Sequence, residues 1–548
     1  MNNVGKYMYE ILKFDTRPIA TVWKLMRLRE LKIELEKKIS ESDEKIKLLI
    51  FQVYNKLTGS YYTPEKLVQA MVKYIITKVD SSFRILEPSG GDGRIVDELL
   101  QSGYKNIDIV EYIKEKTNDL NLKFKNYDFV NIYNEDFLEF SLSTNKKYDL
   151  IIGNPPYINK KNMLERQKKF IKDSYIKSGL NYSDFNNIWN VFLLNSINLL
   201  NKRGSILFVL PIEFLQSFHS ESLRKLIISK FKKIEIFLFK EKVFNDISQS
   251  ICLLFLSDKD YKLESITYKL IKNYNFEKPI FVNCIDKNNL NEKWTNFILY
   301  ESEIKFITDL SEKYTKIDSI GKCAPGVVTG ANSYFILSNE FVNKNNIRKY
   351  FKPIISKTKQ LKGIWILDEK ELNRISNESN TNLLYLNKFD IKQFNYNICK
   401  YIEYGEKKEI NKRFKCSKRG RWYDMPNSNP GDIVFFKRYD NLPKIIVNEA
   451  KCLTTDLGYN VVLSEINGRY YGGGVQELTP REFKNLVIPY KKIHYKQIEK
   501  FNKMIIGNVN LQEIIDYVDS IVLREDISTK DIIKIRNIRN KYLKRRKG

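Results

Sequence analysis

One stretch of the sequence carries residue types that could do chemistry together: Asp149-Leu150-Ile151-Ile152-Gly153-Asn154-Pro155-Pro156-Tyr157. Two consecutive prolines remove two backbone donors and fix φ, so the loop after the apolar run is rigid and its carbonyls face outward as acceptors. An aromatic amine such as adenine N6 is a poor nucleophile because its lone pair is delocalised into the ring. If the Asn154 side-chain oxygen and the Pro155 carbonyl accept its two N–H bonds, the nitrogen is drawn towards a tetrahedral shape. The lone pair then localises for attack on a sulfonium methyl. Such acceptors are fixed before the reaction, so neither histidine nor metal is needed. Tyr157 would offer a face to a base extruded from a duplex.

A second stretch, Glu87-Pro88-Ser89-Gly90-Gly91-Asp92-Gly93, lies between a short apolar run and the amphipathic segment Arg94–Leu100. Glycines there let backbone approach a ligand and adopt φ > 0. The spacing is not G-x-G-x-x-G, which disfavours a pyrophosphate cradle. Glu111 ends another apolar run, where an acid can accept both hydroxyls of a ribose. In Asn134-Glu135-Asp136-Phe137, Asp136 offers a carboxylate to an adenine amino group and Phe137 a ring to its face.

These residues must be positioned by strands. The runs Arg84–Glu87, Ile107–Glu111, Tyr148–Ile152 and Ser205–Leu210 alternate with helical segments, as in a parallel sheet wrapped on both faces. Ligands in such sheets sit beyond the carboxyl ends of the strands, which is where each of these motifs falls. Before them, residues 24–57 show apolar spacing close to that of an amphipathic helix amid dense charge, and are read as a packing helix.

The 548 residues exceed one hydrophobic core and predict two or three domains. Lys and Arg number 93 against 66 Asp and Glu, a net +27 that implies a polyanionic partner. The 34 Tyr and 32 Phe could supply stacking platforms for displaced bases. Six cysteines without a C-x-x-C pair suggest neither zinc nor disulfides, and no metal site is expected. The two histidines, His219 and His494, are read as structural. No stretch approaches the roughly 20 apolar residues of a membrane span, so a soluble, cytoplasmic protein without membrane contact is expected.

Taken together, residues 58–258 resemble the catalytic domain of gamma-type N6-adenine DNA methyltransferases of restriction-modification systems. Thr58–Pro64 resembles the segment that meets the cofactor's methionine end, with Thr63 the contact. Glu87 to Gly93 resembles the cofactor loop, with Glu87, Pro88, Gly91 and Gly93 as contacts. Glu87 and Ser89-Gly90 depart from the commoner D-P-x-C-G form, so Ser89 and Gly90 are not assigned. Glu111, Asp136 and Phe137 stand where the ribose and adenine ligands are expected. Asn154, Pro155, Pro156 and Tyr157 stand as the catalytic tetrad. Lys242-Val243-Phe244-Asn245 is similar to the segment whose aromatic, here Phe244, sandwiches the flipped base opposite Tyr157.

The resemblance implies an α/β fold: a Rossmann-like S-adenosylmethionine-dependent domain with a mixed seven-stranded sheet over 58–300. A separate α+β target-recognition domain over 301–548 and an N-terminal helical extension over 1–57 accompany it. Gly326–Leu337, Lys357–Gly363, Arg419–Tyr423 and Gly472–Leu478 have the character of that recognition domain. Basic residues interleaved with Gly, Trp and Tyr suit a surface that grips phosphates. Lys357, Lys359, Arg419, Arg421 and Trp422 are the candidate DNA contacts. The terminal run Arg536–Lys547, ending Lys544-Arg545-Arg546-Lys547, is read as a nucleic-acid tail or a frayed helix end.

The implied activity is transfer of a methyl group from S-adenosylmethionine to N6 of a flipped adenine in double-stranded DNA. The enzyme is expected as a monomer, with a separate cognate restriction endonuclease acting on the same site. N4-cytosine methylation uses related chemistry, commonly with Ser at the Asn154 position. RNA adenine methyltransferases share the N-P-P-Y loop but are typically compact. A bifunctional restriction enzyme would need a nuclease signature, and the region before Thr58 is too short for a nuclease domain.

Overall fold

The computed structural model describes residues 62–548 apart from 242, 245–249, 259–264, 288–292, 321–324, 362–363, 427, 436–437, 440–444, 456–468, 471–475, 478–483, 489–493, 508, 524–525 and 548. The expected helix over 24–57 lies outside the described residues. The chain divides into two compact units between Lys305 and Phe306.

The first unit is built on one sheet. Its strands are β1 (Ile85–Glu87), β2 (Ile107–Val110), β3 (Val130–Tyr133), β4 (Tyr148–Gly153), β5 (Leu200–Pro211), β6 (Lys233–Phe239), β7 (Ile251–Ser257), β8 (Ser265–Ile271) and β9 (Phe281–Asp286). They lie in the order β3-β2-β1-β4-β5-β7-β6-β8-β9. β1 to β5 are mutually parallel where they pair. β7 inserts antiparallel between β5 and β6. The sheet therefore has nine described strands rather than the expected seven. The two extra strands come from 265–286, where β8 pairs parallel with β6 and β9 antiparallel with β8.

Burial explains why the apolar runs become central strands. β1, β2 and β7 are buried at every position, as a strand covered on both faces must be. Helix α1 (Glu65–Ile76) buries Leu67, Val68, Met71, Val72 and Ile75, one stripe at helical spacing. Helix α2 (Arg94–Gln101) buries Ile95, Val96 and Leu99. The remaining helices of this unit include α3 (Lys114–Lys123), α4 (Phe137–Ser143), α5 (Glu165–Lys177) and α6 (Ile188–Leu199). The strand order reverses between β1 and β4, which pair in register Ile85 with Leu150 and Leu86 with Ile151. A doubly wound sheet opens its ligand crevice at such a switch point, beyond the carboxyl ends of the two strands.

The second unit is α+β. A four-stranded sheet runs in the order Ile336–Leu337, Asn382–Leu384, Phe351–Ile355, Leu453–Thr454, with helices that include Glu369–Glu378 and Tyr396–Lys407. One core gathers Tyr334, Phe335, Tyr350, Leu384, Ile398 and Cys416; a smaller one gathers Ile355, Leu367, Ile375, Val434 and Ile446. The terminal basic run belongs to the helix Thr529–Lys547, in which Arg536 pairs with Asp516 and Asp519.

Candidate active site

The two loops at the switch point are joined. β1 ends at Glu87 and the chain turns through Gly91 (φ 58°) and Gly93 (φ 75°), both in the left-handed region that favours glycine. Gly93 is also packed: a Cβ there would meet Leu120 Cδ2 at 2.7 Å and Phe124 Cε2 at 2.8 Å. β4 ends at Gly153, where a Cβ would meet Pro88 Cδ at 3.2 Å. The loop after β4 is held by the Ser89 hydroxyl, which donates to the Asn154 carbonyl at 3.2 Å. Pro155 and Tyr157 are buried, Asn154 and Pro156 half-buried. The Tyr157 hydroxyl donates to the Val209 carbonyl of β5 at 3.4 Å. Residues beyond the tetrad are held from 186–188: the Lys160 N–H donates to the Asn186 carbonyl (2.8 Å) and the Ile188 N–H to that of Ile158 (2.9 Å).

Acidic groups converge on the first loop. Glu87 is 2% exposed, and its Oε2 is buried without a hydrogen-bond partner. Burial, reinforced by the nearby Asp92 and Glu111 charges, lifts its carboxyl well above the ordinary carboxylate range. Glu111 is oriented by two backbone donors: Gly91 N–H to Oε2 (2.9 Å) and Ile113 N–H to Oε1 (2.8 Å). The Asn134 amide donates to the Glu111 carbonyl at 3.1 Å and fixes the same turn.

Asp136 caps α4 by accepting the Leu138 N–H at 3.0 Å, and its other oxygen accepts from Gln167 Nε2 at 2.8 Å. Burial raises its carboxyl above the ordinary range against those two bonds. Phe137 is buried, its ring centroid 4.7 Å from that of Phe192 on α6.

Three residues here escape the sequence reading. Arg94 donates to the buried Thr63's carbonyl (2.7 Å) and to Asp92 through Nε (2.9 Å), tying the segment before α1 to the glycine loop. Tyr62 lies over that loop, 3.7 Å from where a Gly91 Cβ would stand. Phe192 completes the ring pair with Phe137. Their signal is spatial: Arg94 opens an amphipathic helix, and Phe192 is one of many buried residues in α6, which is buried on nearly every side. Phe244 is buried, whereas Lys242 and Asn245 of the same motif lie outside the described residues.

In the second unit the candidate DNA contacts divide. Lys357 and Lys359 are exposed. Arg419 faces inward and donates to the carbonyls of Val328 (2.9 Å) and Thr329 (2.7 Å). Arg421 donates to the Phe389 carbonyl (2.9 Å) and the Asp424 carboxylate (2.9 Å). Trp422 packs on Tyr334, and its indole N–H donates to Glu406 at 3.1 Å. Of Gly472–Leu478, most lies outside the described residues.

Two family models cover most of the chain. Residues 39–244 match the Eco57I restriction-modification methylase, and 291–464 with 459–523 match the C-terminal domain of the Type II methyltransferase M.Eco57I. The chain belongs to the Eco57I restriction-modification methylase family. Its relatives include the Type II methyltransferase M.AccI of Acinetobacter calcoaceticus, 26% identical over 86% of this chain and 94% of that protein. Another is the Type II methyltransferase M.HincII of Haemophilus influenzae, 30% identical over 42% of this chain and 40% of its own length. The fold is similar to that of the Type IIL restriction-modification enzyme MmeI, solved in complex with DNA: TM-score 0.51, 14% identity, 96% of this chain and 78% of the other. As a member of this family the chain is a DNA methyltransferase, and S-adenosylmethionine is its methyl donor. No helix among the described residues is long and apolar enough to cross a membrane.

Proposed function

We propose that this methylase acts on N6 of an adenine flipped out of double-stranded DNA. The observation that carries the reading is the junction of the two switch-point loops: Ser89 on one fixes the backbone of Asn154 on the other. That bond sets an acceptor-rich, proline-stiffened loop beside the glycine turn.

The residues fit S-adenosylmethionine, which supplies an activated methyl group when bound. It carries two cationic centres and a ribose. Glu87, buried with an oxygen that has no partner, suits a cation. Glu111, held at both oxygens by N–H groups, is aimed as an acceptor for ribose hydroxyls. Thr63, Pro88, Gly91 and Gly93 form the backbone around it. Asp136, with the Phe137–Phe192 pair, suits an adenine edge and face.

Asn154 and the Pro155 carbonyl then accept from the target amino group, and Tyr157 and Phe244 stack on its ring. The N-P-P-Y form, with Asn rather than Ser at the first position, favours adenine over cytosine N4. Residues 58–300 carry this chemistry and residues from 301 recognition, in a monomer that acts in the cytoplasm beside a separate cognate endonuclease.

The test is Asn154→Ala assayed with radiolabelled S-adenosylmethionine on unmethylated DNA. Loss of one preorganised acceptor should cost roughly 10²-fold or more in rate, with cofactor affinity within a few fold. Wild-type turnover would remove the tetrad from the mechanism.

A further inference from the structure

The segment from Ile410 to Tyr423 contains six basic residues and no acid. Three of the six act inside the unit or along its edge: Arg419 and Arg421 as described, and Lys412, which pairs with Glu409 at 2.8 Å. The other three, Arg413, Lys415 and Lys418, are exposed, and among the described residues none has an ion-pair partner. Between them stands Phe414, 58% exposed, with Lys415 Nζ 5.8 Å from its ring centroid.

This loop is held firmly from below. Cys416 is fully buried in the unit's core. Gly330, at φ 81°, permits the close approach, since a Cβ there would meet Lys415 Cβ at 2.8 Å and Cys416 Sγ at 3.3 Å. The Ser417 N–H closes a turn on the Arg413 carbonyl at 2.8 Å, and Arg419 bolts the loop's far end to Val328 and Thr329. An exposed aromatic flanked by unpaired cations on an anchored turn gains nothing for folding. Such a surface suits a polyanion whose phosphates are met by the cations while an apolar wedge enters the groove.

We propose that Arg413–Lys418 is a duplex-DNA contact, in which Arg413, Lys415 and Lys418 meet phosphates and Phe414 enters the groove between them. The inference rests on the reading of the chain as a DNA methyltransferase. It moves the contact from the sequence candidates Arg419, Arg421 and Trp422, which brace the loop, to the residues they present.

The full chain is compared with the triple variant Arg413→Gln/Lys415→Gln/Lys418→Gln by fluorescence anisotropy on a mixed-sequence duplex across a salt series. Each phosphate contact contributes about 0.9 to the slope of log affinity against log salt, so the slope should fall by about 2.7. Melting temperature and S-adenosylmethionine affinity should not change. A control with the same charge loss, Lys344→Gln/Lys349→Gln/Lys370→Gln, should keep most of the slope. Phe414→Ala should keep the slope yet weaken binding roughly tenfold. A triple variant with wild-type slope, or a control that loses as much, overturns the loop while leaving the methyltransferase intact. Wild-type protein that neither binds nor methylates duplex DNA overturns the DNA reading, and the loop with it.

Discussion

The Ser89 hydroxyl lies 3.2 Å from the Asn154 carbonyl and donates to it, so the loop after β1 is tied to the loop after β4. Two stretches far apart in sequence are thereby set against each other at the point where the strand order reverses. Ser89→Ala should leave the protein folded and reduce methyl transfer several-fold, since a neutral hydrogen bond contributes about 1 kcal/mol. The effect belongs in kcat rather than in DNA affinity. Steady-state kinetics with unchanged kcat would separate the loops functionally.

Gly93 is both left-handed and enclosed. Gly93→Ala meets strain at φ 75° and a clash with Leu120 and Phe124. A loss of about 2 to 4 kcal/mol is expected from the two together. Differential scanning calorimetry should show a clear fall in melting temperature, and calorimetric titration a weaker S-adenosylmethionine interaction. A variant as stable as wild type would mean that the turn relaxes freely.

Glu87 makes the cofactor-free protein sensitive to pH. Its carboxyl is raised in the folded state, so the native protein holds a proton that the unfolded chain releases above about pH 4.5. Stability contributed by this group is fully present below the unfolded value and is lost as pH rises through the folded one. Glu87→Gln should therefore flatten the decline in stability as pH rises above about 4.5 and raise the melting temperature at neutral pH. The same change should weaken cofactor binding. Parallel pH profiles for the two proteins would count against the buried-charge account.

Arg419 is predicted to be a brace. Arg419→Ala removes bonds to three backbone carbonyls, those of Val328, Thr329 and Trp422, and should cost roughly 2 kcal/mol, or about 4–8 °C in melting temperature. Chemical or thermal melts that show no change would return Arg419 to the list of DNA contacts.

How far the sequence reveals this molecule depends on whether a residue's role is local. The switch-point loops are legible because their constraints are: two prolines stiffen a loop wherever they occur, and clustered glycines mark a turn with positive φ. The apolar runs β1, β2, β4 and β5 are legible because strands covered on both faces read as continuous hydrophobic stretches. β8 and β9 alternate instead, with half-exposed positions such as Thr267 and Lys269, and so do not read as continuous apolar runs.

Roles set by partners distant in the chain stay hidden. Ser89 looks like a departure from a motif until Asn154 is seen above it. Arg419 and Lys415 are equally basic in sequence; only the structure shows carbonyls facing the first and solvent facing the second.

Whether Asn154 acts on adenine N6 is read from the identity of the methylated base. Unmethylated plasmid DNA is treated with the full chain and S-adenosylmethionine, then digested to nucleosides and analysed by mass spectrometry. N6-methyldeoxyadenosine should appear with wild-type protein and be absent with Asn154→Ala. N4-methyldeoxycytidine, or N6-methyldeoxyadenosine undiminished by Asn154→Ala, would contradict the account.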